Sequence, residues 1–507
     1  MINPCKKRKK KKKKQKFIIT TVMKKIIYTA LAGMVLLALG SCQKEDKATR
    51  PNFVIFIADD VSWNDIGCYG NENVQTPNID RMASEGIRFT NAYLTASSCS
   101  PSRISILTGR YPHNTGAAEL HTEPEVDLTG FADVLKENGY YCGQAGKWHA
   151  GEYLRSGFDT LHDNIIMNGG EGKWLEVVEN RPEDKPFFLW LAAIDAHRAW
   201  GENEFSGTHD PGSISVPPYL ADDEATREDI ARYYDEIKRF DYYIGEVEKK
   251  LEEQGVLENT LIIVMADNGR PFPGCKTRVY DRGMQTPFIV KWPKEINQKD
   301  ITCESMISVI DIAPTLADLA GIDSIPESFQ GKSFSSLLHD PTEPFRTYVF
   351  AEHNWHDYEA HERMVRTKDL MYVLNSRPQF PNQGPADAVN SPSFASLLEL
   401  KESGDISSLQ NKIFEFPRSA EELFDCNEDP MQLNNLAYVV EYETIRKELS
   451  EILITWMEET GDNVPENLTP DWFTRLTGDK IEEVFGTRGE MPGKVKNAVE
   501  INKSGPF

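Results

Sequence analysis

Pro51–Asp60 reads PNFVIFIADD, an unbroken apolar run that ends in two acids. A run so short, bounded by proline and by charge, predicts a strand buried on both faces with polar chemistry at its carboxyl end. The pattern recurs in PFFLWLAAIDAH (Pro186–His197) and TLIIVMADN (Thr260–Asn268), and more loosely in YYCGQAGKWH (Tyr140–His149) and FIVKWP (Phe288–Pro293). Helical patterns lie between. TPNIDRMASEGIRF reads as helix, glycine stop and strand, and FADVLKENG as a helix. From Thr226 to Leu251, the residues Ile230, Tyr233, Ile237, Ile244, Val247 and Leu251 recur at helical spacing and predict one long amphipathic helix. Strands alternating with helices imply an α/β fold, a mainly parallel central sheet flanked by helices.

Beyond about Pro344 the rhythm changes. YVFAEH, ERMVRTKDLMYVLN and EELFDC read as short strands, and YETIRKELSEILITWMEE as one helix. In a chain of 507 residues this predicts an α/β domain over 43–343 and a smaller α+β subdomain over 344–485. Pro378 to Pro392 reads as a loop, and 486–507 as a mobile tail.

Residues 6 to 16 are nearly all Lys or Arg, which alone would suggest a nucleic-acid tail. From Met23, however, MKKIIYTALAGMVLLALGSC has the basic start, apolar stretch and small residues of a secretory leader. Leu39-Gly40-Ser41-Cys42 resembles the bacterial lipobox, whose cysteine is lipidated after cleavage. The expectation is an exported bacterial lipoprotein, in the periplasm or on the outer-membrane surface, held to the membrane by its lipid alone. Met23 is then the true start. Setting aside the twelve Lys and Arg of residues 1–42, which carry no acid, takes the formal charge from −23 to −35. That charge repels polyanions and excludes nucleic acid as a partner. Cys5 and Cys42 belong to the leader; the others are dispersed, without disulfide or metal spacing, and among them Cys99 alone lies in a motif.

Asp59-Asp60 and Asp267-Asn268 both close apolar strands. Singly, an acidic pair is more often a turn or cap. Ends of neighbouring parallel strands converge on one edge, though, where sites of this architecture lie. Carboxylates with an amide oxygen suit a hard divalent cation better than zinc. Lys147 and His149 close another strand, His197 a third, and Lys276 follows the second acidic pair by the short loop DNGRPFPGCK. Cationic and proton-transferring groups beside a metal suit a tetrahedral oxyanion in transfer. In SSCSPSRISILTGR, Pro101 and Gly109 bracket a helix near Ser100–Thr108 with Cys99 at its amino end, where anions are favoured, and Arg103 one turn along.

CSPSRISILTGR resembles the type I sulfatase signature C-x-P-S-R-x-x-x-L-T-G-R at every defined position. GKWH, the opening DDVSWNDIGCYG, DIAPTLADLAG and the late ELFDCNEDPMQLNNLA resemble the family's other motifs in order, from about Asn52 to Ala437. The resemblance implies the alkaline-phosphatase-like α/β fold. It also implies that Cys99 is oxidised to Cα-formylglycine by a maturation enzyme, because a thiol would leave a stable thiosulfate-like adduct. A hydrated aldehyde instead offers one hydroxyl to attack sulfur and a second to expel sulfate. Position by position, Asp59, Asp60, Asp267 and Asn268 resemble the ligands of one Ca²⁺, with modified Cys99 completing the set. Arg103 and Lys147 resemble the groups that hold the hydrate and the sulfate, and His149 the base. His197 and Lys276 resemble the pair on the leaving-group side.

Within the family, DNGRPFPGCKTRVYDRG, the DAHR at His197 and QFPNQGPADAVNSPSFASLLEL resemble the sulfamidases that act on N-sulfoglucosamine in heparan. Lys276 departs from the arginine of that group and resembles O-sulfatases. In FAEHNWHDYEAHERMVRT, His353, His356 and Glu362 are candidates for sugar hydroxyls, weighed evenly against plain strand residues, with Trp355 suited to a sugar ring. The alternatives are an O-sulfatase on a glycosaminoglycan or other sulfated glycan, a phosphonate or phosphate monoester hydrolase of the same superfamily, and a non-enzymatic glycan-binding lipoprotein.

Overall fold

The computed structural model describes residues 50–124, 128–163 and 168–507. Met23, the basic run and Cys42 lie outside the described residues.

In chain order the strands are β1 (Asn52–Ala58), β2 (Ile87–Phe89), β3 (Ala92–Tyr93), β4 (Tyr141–Gly146), β5 (Thr160–His162), β6 (Phe187–Ala192) and β7 (Thr260–Ala266). They continue with β8 (Phe288–Lys291), β9 (Ile301–Cys303), β10 (Ile307–Ser308), β11 (Val349–His353), β12 (Glu362–Arg366), β13 (Leu370–Asn375) and β14 (Glu421–Asp425). Eight form the main sheet in the order β5-β4-β6-β1-β7-β8-β2-β9. All run parallel except β8, which is antiparallel to both neighbours.

The apolar run that opened the chain is central in this sheet, between β6 and β7. Its alternation sorts the core: Phe53, Ile55 and Ile57 enter one apolar layer, and Val54, Phe56 and Ala58 the other. Each large side chain buried this way contributes on the order of 1.5–3 kcal/mol. Helices cover both faces. α1 (Pro77–Ser84) starts on its proline, and α2 (Cys99–Thr108) ends at Gly109 with φ 61°. A Cβ on Gly109 would meet Ala313 at 3.0 Å, so the glycine of the T-G-R triplet serves both a left-handed cap and a close approach. α3 spans Phe131–Glu137, α4 Trp174–Asn180 and α5 Glu224–Glu253. The face of α5 that carries Ile230, Ile237, Ile244 and Leu251 packs with α1 and α4 on one side of the sheet, while α2 and α3 pack on the other.

β11, β12, β13 and β14 form an antiparallel meander in chain order. One face, through Phe350, Val365, Tyr372 and Leu423, packs on a helix over Glu443–Thr460; the other, through Ala351, Met364 and Met371, merges with the main core. The stretch read as a loop holds a short helix, Ala386–Val389, pinned by the Ala386 N–H donating to Asp357 Oδ2 at 3.0 Å.

The segment 486–507 is not a mobile tail. The guanidinium of Arg110, last residue of the signature, is buried and donates to the carbonyls of Val499 and Ile501 at 2.9 and 3.1 Å and to Asn502 Oδ1 at 2.8 Å. Asn114 and Gln330 bond the carbonyls of Ala498 and Lys503 at 2.7 Å each. The segment docks because Arg110 needs acceptors, and among the described residues no carboxylate forms an ion pair with it. Nothing in the local composition of 486–507 announces that need. Among the described residues no helix is long and apolar enough to cross a membrane.

Candidate active site

Four adjacent parallel strands, β4, β6, β1 and β7, end on one edge; polar residues follow β4, β1 and β7 at once, and β6 after Ala193 and Ile194. Backbone bonds continue past the strands: Asp59 N–H to Asp195 O at 2.7 Å, Ala196 N–H to Asp59 O at 2.6 Å, Lys147 N–H to Ala192 O at 2.9 Å and Asp267 N–H to Ala58 O at 3.1 Å. Strand register therefore brings together residues more than two hundred positions apart. Asp60 turns out of β1 with φ 62° and His149 out of β4 with φ 47°, left-handed conformations that disfavour side chains and collect at functional sites. From α5, the Tyr233 hydroxyl holds the Asp60 carbonyl at 3.0 Å.

Cys99 is the first residue of α2, and its thiol faces Asp59 Oδ1 at 3.5 Å. Ligand-type atoms of Asp59, Asp60, Cys99 and His197 lie within 4.8 Å of one another. Arg103 donates Nε to Asp267 Oδ2 at 2.7 Å and Nη1 to the Lys147 carbonyl at 3.0 Å. Lys147 pairs with Asp59, and Lys276 with Asp60 at 2.7 Å. Asn268 donates its amide to Asp60. Three buried carboxylates thus face three cations, one guanidinium and two ammonium groups.

Burial pushes Asp60 above its ordinary range and Asp267 up to about 7, although Lys276 and Arg103 oppose it. At Asp59 burial pushes the same way, but Lys147 and then His197 and Arg103 outweigh it and hold the carboxyl well below the usual range. The thiol of Cys99 is pushed up by burial and by Asp59, so the helix amino end does not make it a thiolate. An unmodified cysteine here is neutral and a poor nucleophile.

Among the metal-type and cationic groups of this site, Asn268 Oδ1 and Arg103 Nη2 are buried without a protein partner. An orphaned amide oxygen among three carboxylates fits a hard divalent cation, and an orphaned guanidinium nitrogen fits an anionic oxygen.

Residues 51–322 match the family model described as Sulfatase, and residues 275–373 match that described as N-sulphoglucosamine sulphohydrolase, C-terminal. The chain belongs to the sulfatase family. It is 30% identical to an ulvan-active sulfatase of Formosa agariphila, over 84% of this chain and 79% of that one. It is 29% identical to the human N-sulphoglucosamine sulphohydrolase, over 84% of this chain and 93% of the other. A solved protein in complex with its substrate D-glucosamine-2-N,6-O-disulfate shares the fold, with TM-score 0.62 and 21% identity over 81% of this chain and 98% of that one. The protein is a hydrolase of sulfate esters or sulfamates.

The sulfatase site also contains residues that sequence reasoning missed. Asp387, on the short helix Ala386–Val389, points Oδ2 to Lys276 Nζ at 3.4 Å and His197 Nε2 at 3.8 Å. It stands 111 positions from Lys276, and only the fold shows the pairing. His121, with φ 58°, sets Nδ1 2.8 Å from His149 Nε2. Burial, with Lys147 beside it, lowers His149 to about 2, so its imidazole is neutral.

The three candidate sugar ligands divide. His356 reaches the site, its Nδ1 2.8 Å from the hydroxyl of Ser98, the residue that precedes α2. His353 and Glu362 do not face a sugar. Glu362 is 2% exposed and lies between Arg418 and Arg278, while His353 accepts from Arg278 at 3.1 Å. Burial would raise Glu362, but Arg418 and Arg278 hold it at about 2. Both residues belong to paired strands whose polar side chains point into the protein rather than outward, a difference that strand alternation cannot reveal. Trp355 is also withdrawn: it is 2% exposed, bonds the Pro470 carbonyl and lies against the Arg488 guanidinium.

Proposed function

We propose that this sulfatase removes sulfate from N-sulfoglucosamine units of heparan sulfate or heparin, using a formylglycine made from Cys99 and one bound calcium ion. The match of residues 275–373 to the C-terminal model of N-sulphoglucosamine sulphohydrolase carries the reading, because that stretch holds His356, which reaches the site beside Ser98.

Asp59, Asp60, Asp267 and Asn268, with residue 99, would hold the calcium. A formylglycine hydrate supplies two hydroxyls on one carbon, and the cation supplies a Lewis acid and countercharge. Around them, Arg103 Nη2 and Lys147 bind sulfate oxygens and fix sulfur over residue 99. Neutral His149 takes the proton of the second hydroxyl when sulfate is expelled. His197 and Lys276 flank the leaving atom and return a proton to it. Cys99, Pro101 and Arg103 are buried in the folded chain, so a maturation enzyme that reads C-x-P-x-R meets them before folding.

An O-sulfatase reading stands second, favoured by Lys276 where sulfamidases have arginine. The exported lipoprotein assignment rests on Leu39–Cys42 and is part of the proposal; mass spectrometry of the protein from its native membrane, showing a diacylglyceryl group on Cys42, tests it. For specificity, sulfate release is compared on glucosamine N-sulfate and glucosamine 6-O-sulfate, with formylglycine at position 99 confirmed by mass. Release from the 6-O-sulfate alone overturns the N-sulfate reading.

A further inference from the structure

The leaving-group side of the pocket holds a carboxylate that the nucleophile, metal and sulfate roles do not use. Asp387 Oδ1 is fixed by the N–H of Ala388 at 2.7 Å, while Oδ2 turns toward Lys276 and His197. Its side chain is 23% exposed, against 1% for Lys276 and 0% for Asp60, so it faces the pocket opening rather than the interior. The neighbouring Lys276 holds its carboxyl below the ordinary range despite burial. The loop that presents it is anchored at two further points: Ala386 N–H to Asp357, and Gly274 N–H to the Gln383 carbonyl at 3.2 Å. Asp387 is thus a fixed negative charge next to the pair that protonates the leaving atom.

Such a charge is poorly placed for an oxygen leaving group. The bridging oxygen of a sulfate ester has no hydrogen and gains negative charge as the S–O bond breaks. A sulfamate nitrogen differs at each stage. It carries an N–H that a carboxylate accepts. When the S–N bond breaks, nitrogen keeps the electron pair and takes one proton from the His197–Lys276 pair, giving a primary amine. That amine takes a second proton from water at neutral pH and becomes an ammonium. We infer that Asp387 selects nitrogen over oxygen as the leaving atom, by accepting the sulfamate N–H and pairing with the amine product.

Resting on the N-sulfoglucosamine reading, this inference also accounts for Lys276. With Asp60 and Asp387 both in contact, the lysine is charge-compensated, and a carboxylate beside it supplies the nitrogen preference that its own ammonium lacks.

The test is Asp387→Asn, which keeps shape and removes charge, assayed on glucosamine N-sulfate, on glucosamine 6-O-sulfate and on an aryl sulfate. Inhibition of aryl sulfate hydrolysis by glucosamine and by N-acetylglucosamine is measured in parallel. Losing a charge-assisted hydrogen bond predicts a fall of roughly 10-fold or more in kcat/KM on the N-sulfate relative to the two esters. Glucosamine inhibition weakens by a similar factor and N-acetylglucosamine inhibition does not change. An equal fall on all three substrates, with inhibition unaltered, makes Asp387 merely structural and overturns the inference. If the unmodified enzyme ignores the N-sulfate, the substrate reading fails by itself. The glucosamine arm then still decides the amine site: unchanged inhibition in Asp387→Asn overturns it, and weakened inhibition upholds it.

Discussion

Among the described residues two clusters join acids with a histidine, and they are built to opposite ends. The first is the edge of the parallel sheet, with Asp59, Asp60, Cys99 and His197. The second joins His113, Glu352 and Asp462, whose ligand-type atoms also lie within 4.8 Å of one another. In the second, Arg363 closes the charge: it binds Asp462 through two nitrogens, at 2.5 and 2.8 Å, and lies 3.6 Å from Glu352. Glu352 is further held by His113 at 2.8 Å and Asn354 at 2.9 Å. Every carboxylate oxygen there has a partner. At the sheet edge two of the compensating cations are lysines on flexible stems, and Asn268 Oδ1 and Arg103 Nη2 face no protein group. Buried charge alone does not mark a site. What marks one is an amide oxygen and a guanidinium nitrogen left without partners among the carboxylates; in the closed cluster the one atom so left is His113 Nε2, on the far side of the ring from Glu352.

The largest effect should come from the open cluster. Cys99→Ala is expected to lower sulfate release by roughly 10³-fold or more while shifting the melting temperature by only about 2–4 °C. Retained turnover would remove Cys99 as nucleophile. Chelation is expected to abolish release without unfolding, with calcium restoring it, and Asp60→Asn to lose bound calcium by elemental analysis; a variant with full metal content breaks the ligand assignment.

The closed cluster should show the reverse pattern. Arg363→Met leaves Asp462 uncompensated and Glu352 with His113 alone, and is expected to cost about 3–5 kcal/mol in urea unfolding, since an unpaired buried charge is costly. Per folded molecule its sulfate release should change far less than in Cys99→Ala. The two carboxyls also predict a pH dependence. Burial would raise both, but Arg363 holds Asp462, and His113 with Arg363 holds Glu352, below their ordinary values. A carboxyl with a depressed folded pKa contributes stability that is full above the unfolded value, roughly pH 4, and lost as pH falls through the folded one. Thermal unfolding between pH 5 and 3 should therefore steepen in the unmodified protein, and flatten in Arg363→Met. Smallest is Arg110→Ala, which frees the carbonyls of Val499 and Ile501. It should cost about 1–3 kcal/mol and open the chain near Val499 to limited proteolysis, with the site intact.

Much of the site was legible because it is written where strands end. Asp59-Asp60, Asp267-Asn268, Lys147, His149 and His197 each follow an apolar run, and parallel register makes such ends meet whatever the distance along the chain. Cys99 and Arg103 were legible from their helix turn and signature. His353 and Glu362 were misread because a polar residue on a strand looks alike whether it meets a ligand or a buried arginine. Asp387 and His121 were missed because one enters from a single-turn helix and the other from a turn, neither long enough for periodicity to reveal.

By itself, then, the sequence determined the parallel α/β sheet, the helix that starts at Cys99 and the residues at the converging edge, since short-range patterning and strand register suffice for these. Only the tertiary structure decided which polar groups would be spent on one another. It closed Arg363 on Asp462, drew the last residues onto Arg110 and left Asp387 facing Lys276. Charge compensation in a buried setting depends on neighbours in space, and residues hundreds of positions apart become neighbours only once the chain has folded.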